Sequence, residues 1–154
     1  MTSFLTAIRR HSGRGFSLLE LVVVLAIVAV LGAIALPRFS SAHENSAADQ
    51  AAKRVARMID HGRTLSRGSS KQVLFQTDAQ NNRVQLVLNG ITVEAVTLSA
   101  KPYRVKVVSA NFGGSSQVVI DHYGVVQTAG TIVLQSGTAK RTININTSNG
   151  IVVN

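Results

Sequence analysis

Chemistry in this sequence would have to come from a few dispersed side chains. Four histidines are present, His11, His43, His61 and His122, and none stands in the HxH or HExxH spacing that brings two imidazoles onto one metal. There is no cysteine, which removes thiol nucleophiles, thiolate metal sites and disulfides. Asp121 and His122 are adjacent, but neighbours on a strand point to opposite faces, so the pair reads as turn residues. None of the serines lies in Gly-x-Ser-x-Gly, no P-loop is present, and no Gly-x-Gly-x-x-Gly follows a strand. No catalytic residue, metal site or cofactor is therefore expected, and the chain does not read as an enzyme. The residue that calls for explanation is Glu20. It is the single charge between Phe16 and Leu36, near one end of an apolar run. A carboxylate there is costly unless it has a partner or a function.

The element that must position Glu20 is a helix. Phe16 to Leu36 is 21 residues, and Leu21 to Leu36 contains no charged and no hydroxyl side chain. At about 1.5 Å per residue such a helix covers roughly the hydrocarbon thickness of a bilayer. Arg9, Arg10 and Arg14 precede it and no acid does. That bias predicts a cytoplasmic N-terminus, a single crossing of the inner membrane and an exported C-terminal part. A plain membrane anchor would need neither the Gly15-Phe16 junction nor Glu20. A secretory signal cut after Ala33-Ile34-Ala35 would have an overlong basic region and a misplaced acid. Arg9-Arg10 lacks the following residues of a twin-arginine signal.

Pro37 ends the apolar run, and a helical proline loses a backbone hydrogen bond and crowds the preceding turn, so a kink is expected there. From Ser40 to Arg67 the pattern is amphipathic. Ala48, Ala52, Val55, Ile59 and Gly62 recur at helical spacing, while Lys53, Arg54, Arg57 and Arg63 lie mostly off that stripe. Gly68-Ser69-Ser70 stops the helix. Beyond it the period becomes two, which predicts strands over 72–77, 83–88, 91–98, 103–109, 118–121, 131–135, 141–146 and 151–153. Asn89-Gly90 between alternating runs is a strong hairpin signal.

Gly15-Phe16-Ser17-Leu18-Leu19-Glu20 followed by the apolar run resembles the processing signal of type IV prepilins and type II secretion pseudopilins. The resemblance implies that a prepilin peptidase cuts between Gly15 and Phe16 and methylates the new amine of Phe16. An ordinary secretory signal discards its apolar stretch, whereas a cut after Gly15 keeps it. The retained helix would hold the subunit in the membrane and then pack against other pilin or pseudopilin helices in a filament. There Glu20 would meet the Phe16 amine of a neighbour, which offsets its burial and sets register. The layout of one long helix and a β-rich domain also resembles the GspH/FimT-type minor pilins and pseudopilins. The helix-to-strand passage at 56–75 and the closing strand–turn–strand at 143–153 carry that likeness. Absent cysteine departs from many major pilins, which clip a C-terminal loop, and so favours a minor component.

Lys and Arg number 16 against 7 Asp and Glu, a balance of +9. Lys101, Arg104, Lys106, Lys140 and Arg141 fall in or beside strands, where cations solvate a face or protect an edge. Some FimT-type minor pilins act in DNA uptake through a basic C-terminal segment, so the resemblance adds nucleic acid as an alternative partner. Lys140 and Arg141 are then the candidate contacts. Against it, Ser148 to Asn154 contains no arginine, and Tyr103, Phe112 and Tyr123 are the only aromatics after Phe75. The expected architecture is α+β. A leader spans 1–15 and a long kinked helix 16–67, of which 16–36 is transmembrane and 37–67 amphipathic. A small antiparallel β-sandwich or twisted-sheet domain covers 68–154.

Overall fold

The computed structural model describes residues 16–148 and 150–154, without the side chains of Leu36 and Pro37. One helix, α1 (Leu18–Ser69), is followed by eight strands: β1 (Val73–Asp78), β2 (Arg83–Leu88), β3 (Ile91–Thr97), β4 (Lys106–Asn111), β5 (Gln117–Ile120), β6 (Gly130–Ser136), β7 (Ala139–Ile145) and β8 (Ile151–Val153). The chain divides into two units, one ending at Pro37 and one spanning Arg38–Asn154.

In the first unit the helix is apolar on every side. Leu21 to Ile34 includes ten large aliphatic residues that are each 45–62% exposed. A helix apolar all round belongs in lipid or among other helices.

In the second unit, two four-stranded antiparallel sheets share one core with the C-terminal half of α1. Their strand orders are β3-β2-β1-β5 and β4-β6-β7-β8. The helical stripe read from the sequence is the face that enters this core: Ala48, Ala52, Val55 and Ile59 are fully buried, joined by Ala51 and Met58. Gly62 continues the stripe for a steric reason. A Cβ there would lie 2.9 Å from both Ile120 Cδ1 and Leu86 Cδ2, so glycine lets the helix sit directly on the first sheet. Phe75 and Phe112 meet edge-on, with ring centroids 6.3 Å apart. Alternation along β1, β6 and β7 sends Val73, Phe75, Ile132, Leu134, Ile143 and Ile145 inward.

Eight strands overlap the eight that period-two patterning predicts; only β2 and β8 keep both expected ends, the others shift by one to three residues, and three of the shifted boundaries, one of them the helix end, have a visible local reason. The helix runs two residues past Arg67, to Ser69, and Ser70 rather than Gly68 takes the left-handed position at φ 54°. The fourth strand begins at Lys106 because residues 101–103 form a turn and Arg104 stands at φ 53°. The fifth ends at Ile120 because the Asp121 carboxylate turns back to accept the N–H groups of Tyr123 and Val125 at 2.9 and 2.8 Å. Asn89 and Gly90 both have positive φ, 53° and 78°, and close the β2–β3 hairpin.

Candidate assembly helix and domain surface

Phe16 and Ser17 precede the helix, and the Ser17 carbonyl accepts the first helical bond from the Leu21 N–H at 3.1 Å. Ser17 is therefore the N-cap, and Glu20, three residues on, lies in the first turn. Ser-x-x-Glu is the capping-box pattern, and a carboxylate there also faces the positive end of the helix dipole. The sequence reading left this Ser17–Glu20 spacing unremarked, although it was visible. Phe16, Leu18 and Leu19 around it are 77%, 81% and 72% exposed. The helix is long and apolar enough to cross a membrane, and its most apolar stretch is wholly unburied within the chain. Gly15, the expected cleavage residue, lies outside the described residues. Pro37 lies within the span of α1, with its side chain outside the described residues.

The exposed flanks of α1 are tied to both sheets by ionic seams that no motif announced. Toward the second sheet, Glu44 Oε2 accepts the Thr138 N–H at 3.0 Å and its hydroxyl at 3.1 Å, which pins the β6–β7 turn. Those two bonds, with help from the Ser40 hydroxyl and His43, hold the Glu44 carboxyl below its ordinary value. One turn later Asp49 bonds Lys53 at 2.7 Å and faces Arg141 Nε at 3.8 Å, and it too is held low, chiefly by Lys53. Toward the first sheet, Glu94 on β3 takes Arg54 Nη2 on one oxygen and His61 Nδ1 on the other, both at 2.6 Å. Its side chain is only 17% exposed.

Lys140 and Arg141 do not form one patch. Arg141 stands opposite buried Leu134 on the inward face, bound toward Asp49, while Lys140 stands opposite Gln135 and points out. Lys106 is also opposite Gln135, so Lys106 and Lys140 flank it in one cross-strand row. Among the histidines, His43 is exposed on the helix, His61 belongs to the Glu94 cluster, and His122 lies against Tyr123 with ring centroids 3.9 Å apart and the planes tilted by 46°. His11 lies outside the described residues. Asp121 is occupied by the loop it organises, including Gln127 Nε2 at 2.9 Å. Among the described residues no group of three His, Cys, Asp or Glu could hold a metal ion.

Residues 10–36 match the model of the prokaryotic N-terminal methylation motif. No curated protein matches the chain by sequence. The fold matches two crystal forms of the type IV minor pilin FimU from Pseudomonas aeruginosa strain PAO1. Sequence identity is 13% and 10%, with TM-scores of 0.54 and 0.53. The matches cover 70% and 69% of this chain and 87% and 91% of those chains.

Proposed function

We propose that this chain, a type IV pilin-like protein by its motif and its fold, is a minor subunit of a type IV pilus or type II secretion filament. A prepilin peptidase cuts after Gly15 and methylates the amine of Phe16. The retained helix holds the subunit in the inner membrane, N-terminus inside and β-domain outside. Pro37 shapes that helix at the end of its apolar run. Extraction into the filament follows when neighbouring helices replace lipid around Leu21 to Ile34. Glu20 then pairs with the Phe16 amine of an adjacent subunit while its backbone stays capped by Ser17.

The observation that carries this reading is the helix itself. Its apolar surface has no partner within the described chain, and it begins at the residues matched by the methylation motif. Burying one of its aliphatic side chains contributes about 1.5–3 kcal/mol, so exposure of all of them in water is untenable. Mass spectrometry of the mature protein tests the processing step. The expected N-terminus is methylated Phe16, and a chain that starts elsewhere overturns the assignment.

A DNA-uptake role is the second reading, and Lys106 and Lys140 flanking Gln135 favour it over the Lys140-Arg141 pair. Gel-shift titration of the mature protein with duplex DNA at rising salt decides it. A slope of about two released counterions that falls in Lys106→Ala/Lys140→Ala supports the role, and salt-independent or absent binding removes it.

A further inference from the structure

The exposed cations of the β-domain gather toward one end of it. Of the thirteen Lys and Arg from residue 38 onward, Lys53, Arg54, Arg63 and Arg141 are ion-paired. Six of the other nine, Arg38, Arg83, Lys101, Arg104, Lys106 and Lys140, are exposed and belong to neighbouring segments. Backbone pairing brings those segments together. Glu44 on α1 holds Thr138 in the β6–β7 turn, and the cross-strand row next to that turn is Lys106, Gln135 and Lys140. Asn82 ties the β1–β2 turn to the start of β4. Its carbonyl accepts the Leu98 N–H at 2.7 Å and its Oδ1 the Val107 N–H at 2.8 Å. That bracket sets Arg83 and the loop carrying Lys101 and Arg104 beside Lys106. The opposite end, where Arg67 packs against Gly124, carries only Arg67 and Lys71, and Arg57 stands between on α1.

The chain enters the domain at this same end. The second unit begins at Arg38, and Glu44 follows six residues later, about 9 Å along the helix. The apolar run ends at Leu36. With that run in a bilayer, about 12 Å of helix separates it from Glu44. That distance is close to the screening length of roughly 10 Å in 0.1 M salt, so the domain's cations feel charge on the lipid. Phe39, 74% exposed beside Arg38, adds the large apolar side chain that interfacial segments combine with cations. The carboxylates at this end are occupied. Glu44 accepts Thr138, and Asp78, opposite Arg83, accepts the Asn81 N–H and side-chain amide. Arg104 stands at φ 53°, where the other non-glycine residues are serine and asparagine. Glycine would fill that position without strain, so what the arginine contributes is its exposed charge. Charge therefore selects an anionic occupant, and a second copy would set cation against cation.

We propose that the Arg38 end of the β-domain, rimmed by Lys101, Arg104, Lys106 and Lys140, docks on the phosphates of anionic phospholipids in the membrane that anchors the chain. This rests on the proposed membrane anchoring and adds a second, electrostatic contact to it. The contact holds the subunit against the bilayer before assembly and is given up when the subunit leaves the membrane. Each Lys or Arg close to an anionic surface strengthens such binding about fivefold.

Amide exchange by mass spectrometry tests the contact on the full mature chain, reconstituted in phosphatidylcholine vesicles with and without phosphatidylglycerol. At low salt, exchange over residues 99–106 and 137–140 is expected to slow about tenfold or more in the anionic vesicles, while residues 121–125 at the other end are unaffected. Equal exchange in the two kinds of vesicle overturns the proposal. Raising salt to about 1 M, where screening acts within about 3 Å, should abolish the protection, and its persistence would refute an electrostatic contact. The Lys101→Gln/Arg104→Gln/Lys106→Gln variant is expected to melt like the parent and lose the protection, while Lys101→Arg/Lys106→Arg keeps it. Protection that survives the glutamine changes refutes the site. Duplex DNA added to the neutral vesicles is expected to leave these segments unprotected, and protection matching that by lipid would overturn the choice of occupant. A mature chain that does not insert in vesicles refutes the membrane anchoring itself, whereas insertion without protection refutes this contact alone.

Discussion

Gly62→Val tests whether the helix is seated on the first sheet as closely as the structure requires. A Cβ at this position already falls 2.9 Å from Ile120 Cδ1 and Leu86 Cδ2, about 1 Å inside ordinary carbon contact. Both atoms are ends of fully buried side chains, so a first methyl is relieved by small rotamer shifts. Valine adds two further methyls to the same closed space. Overpacking of this kind costs about 1–3 kcal/mol. The gain from replacing glycine in a helix returns only about 0.4 kcal/mol for a β-branched residue. The net loss should be about 2 kcal/mol, or roughly 8–10 °C in Tm for a domain of this size. Gly68→Ala is the matched control, because nothing lies within 4 Å of its Cβ. It should be neutral or slightly stabilising. Thermal unfolding of both mature variants in detergent, followed by near-ultraviolet circular dichroism, provides the comparison. If Gly62→Val melts with or above the parent, the close approach of α1 to β2 and β5 is wrong.

Other expectations concern the seams and turns. Glu44, Asp49 and Asp78 are held below their ordinary carboxyl values of 4.5, 3.8 and 3.8. Their ionised forms are favoured by folding, so their stability is present above those values and lost as pH falls through the lower folded ones. Melting temperature should drop as pH falls below about 4, and Glu44→Gln should flatten the drop. Glu94→Ala removes the shared partner of Arg54 and His61 and should cost about 1–2 kcal/mol, with faster amide exchange in β3 than in β7. Asn89→Val places a β-branched residue at φ 53° and should cost about 1–2 kcal/mol by chemical denaturation. A neutral result would mean that the β2–β3 turn is not left-handed.

Much of the fold was readable because the periods are unmixed. The unbroken run from Leu21 to Leu36 leaves no choice but a membrane or bundle helix. The stripe Ala48, Ala52, Val55, Ile59, Gly62 has helical spacing, and the Val and Ile runs alternate cleanly enough to place eight strands. Boundaries failed where one side chain or dihedral redirects the backbone, as Asp121 and Arg104 do. The partition of strands into two sheets depends on pairings between segments far apart in sequence, such as β1 with β5, and period-two patterning is blind to those. For the same reason the ionic seams were hidden. Nothing local marks Glu44 as the partner of Thr138, 94 residues away, or Glu94 as the link between Arg54 and His61. Lys140 and Arg141 look like a basic pair in one dimension, yet strand alternation places them on opposite faces. Glu20 was noticed for its charge, while its place after the Ser17 cap emerged only with the helix start.

The most direct test of the assembly mechanism is Glu20→Gln in the full-length chain, with processing and filament incorporation measured in the same cells. Glutamine keeps the size and capping capacity of the side chain and removes the charge that a neighbouring Phe16 amine would neutralise. The account predicts a correctly cut and methylated Phe16 N-terminus, normal membrane insertion and at least a tenfold loss from filaments, about 1.4 kcal/mol or more of lost pairing. Incorporation of the variant at the parent level would contradict it.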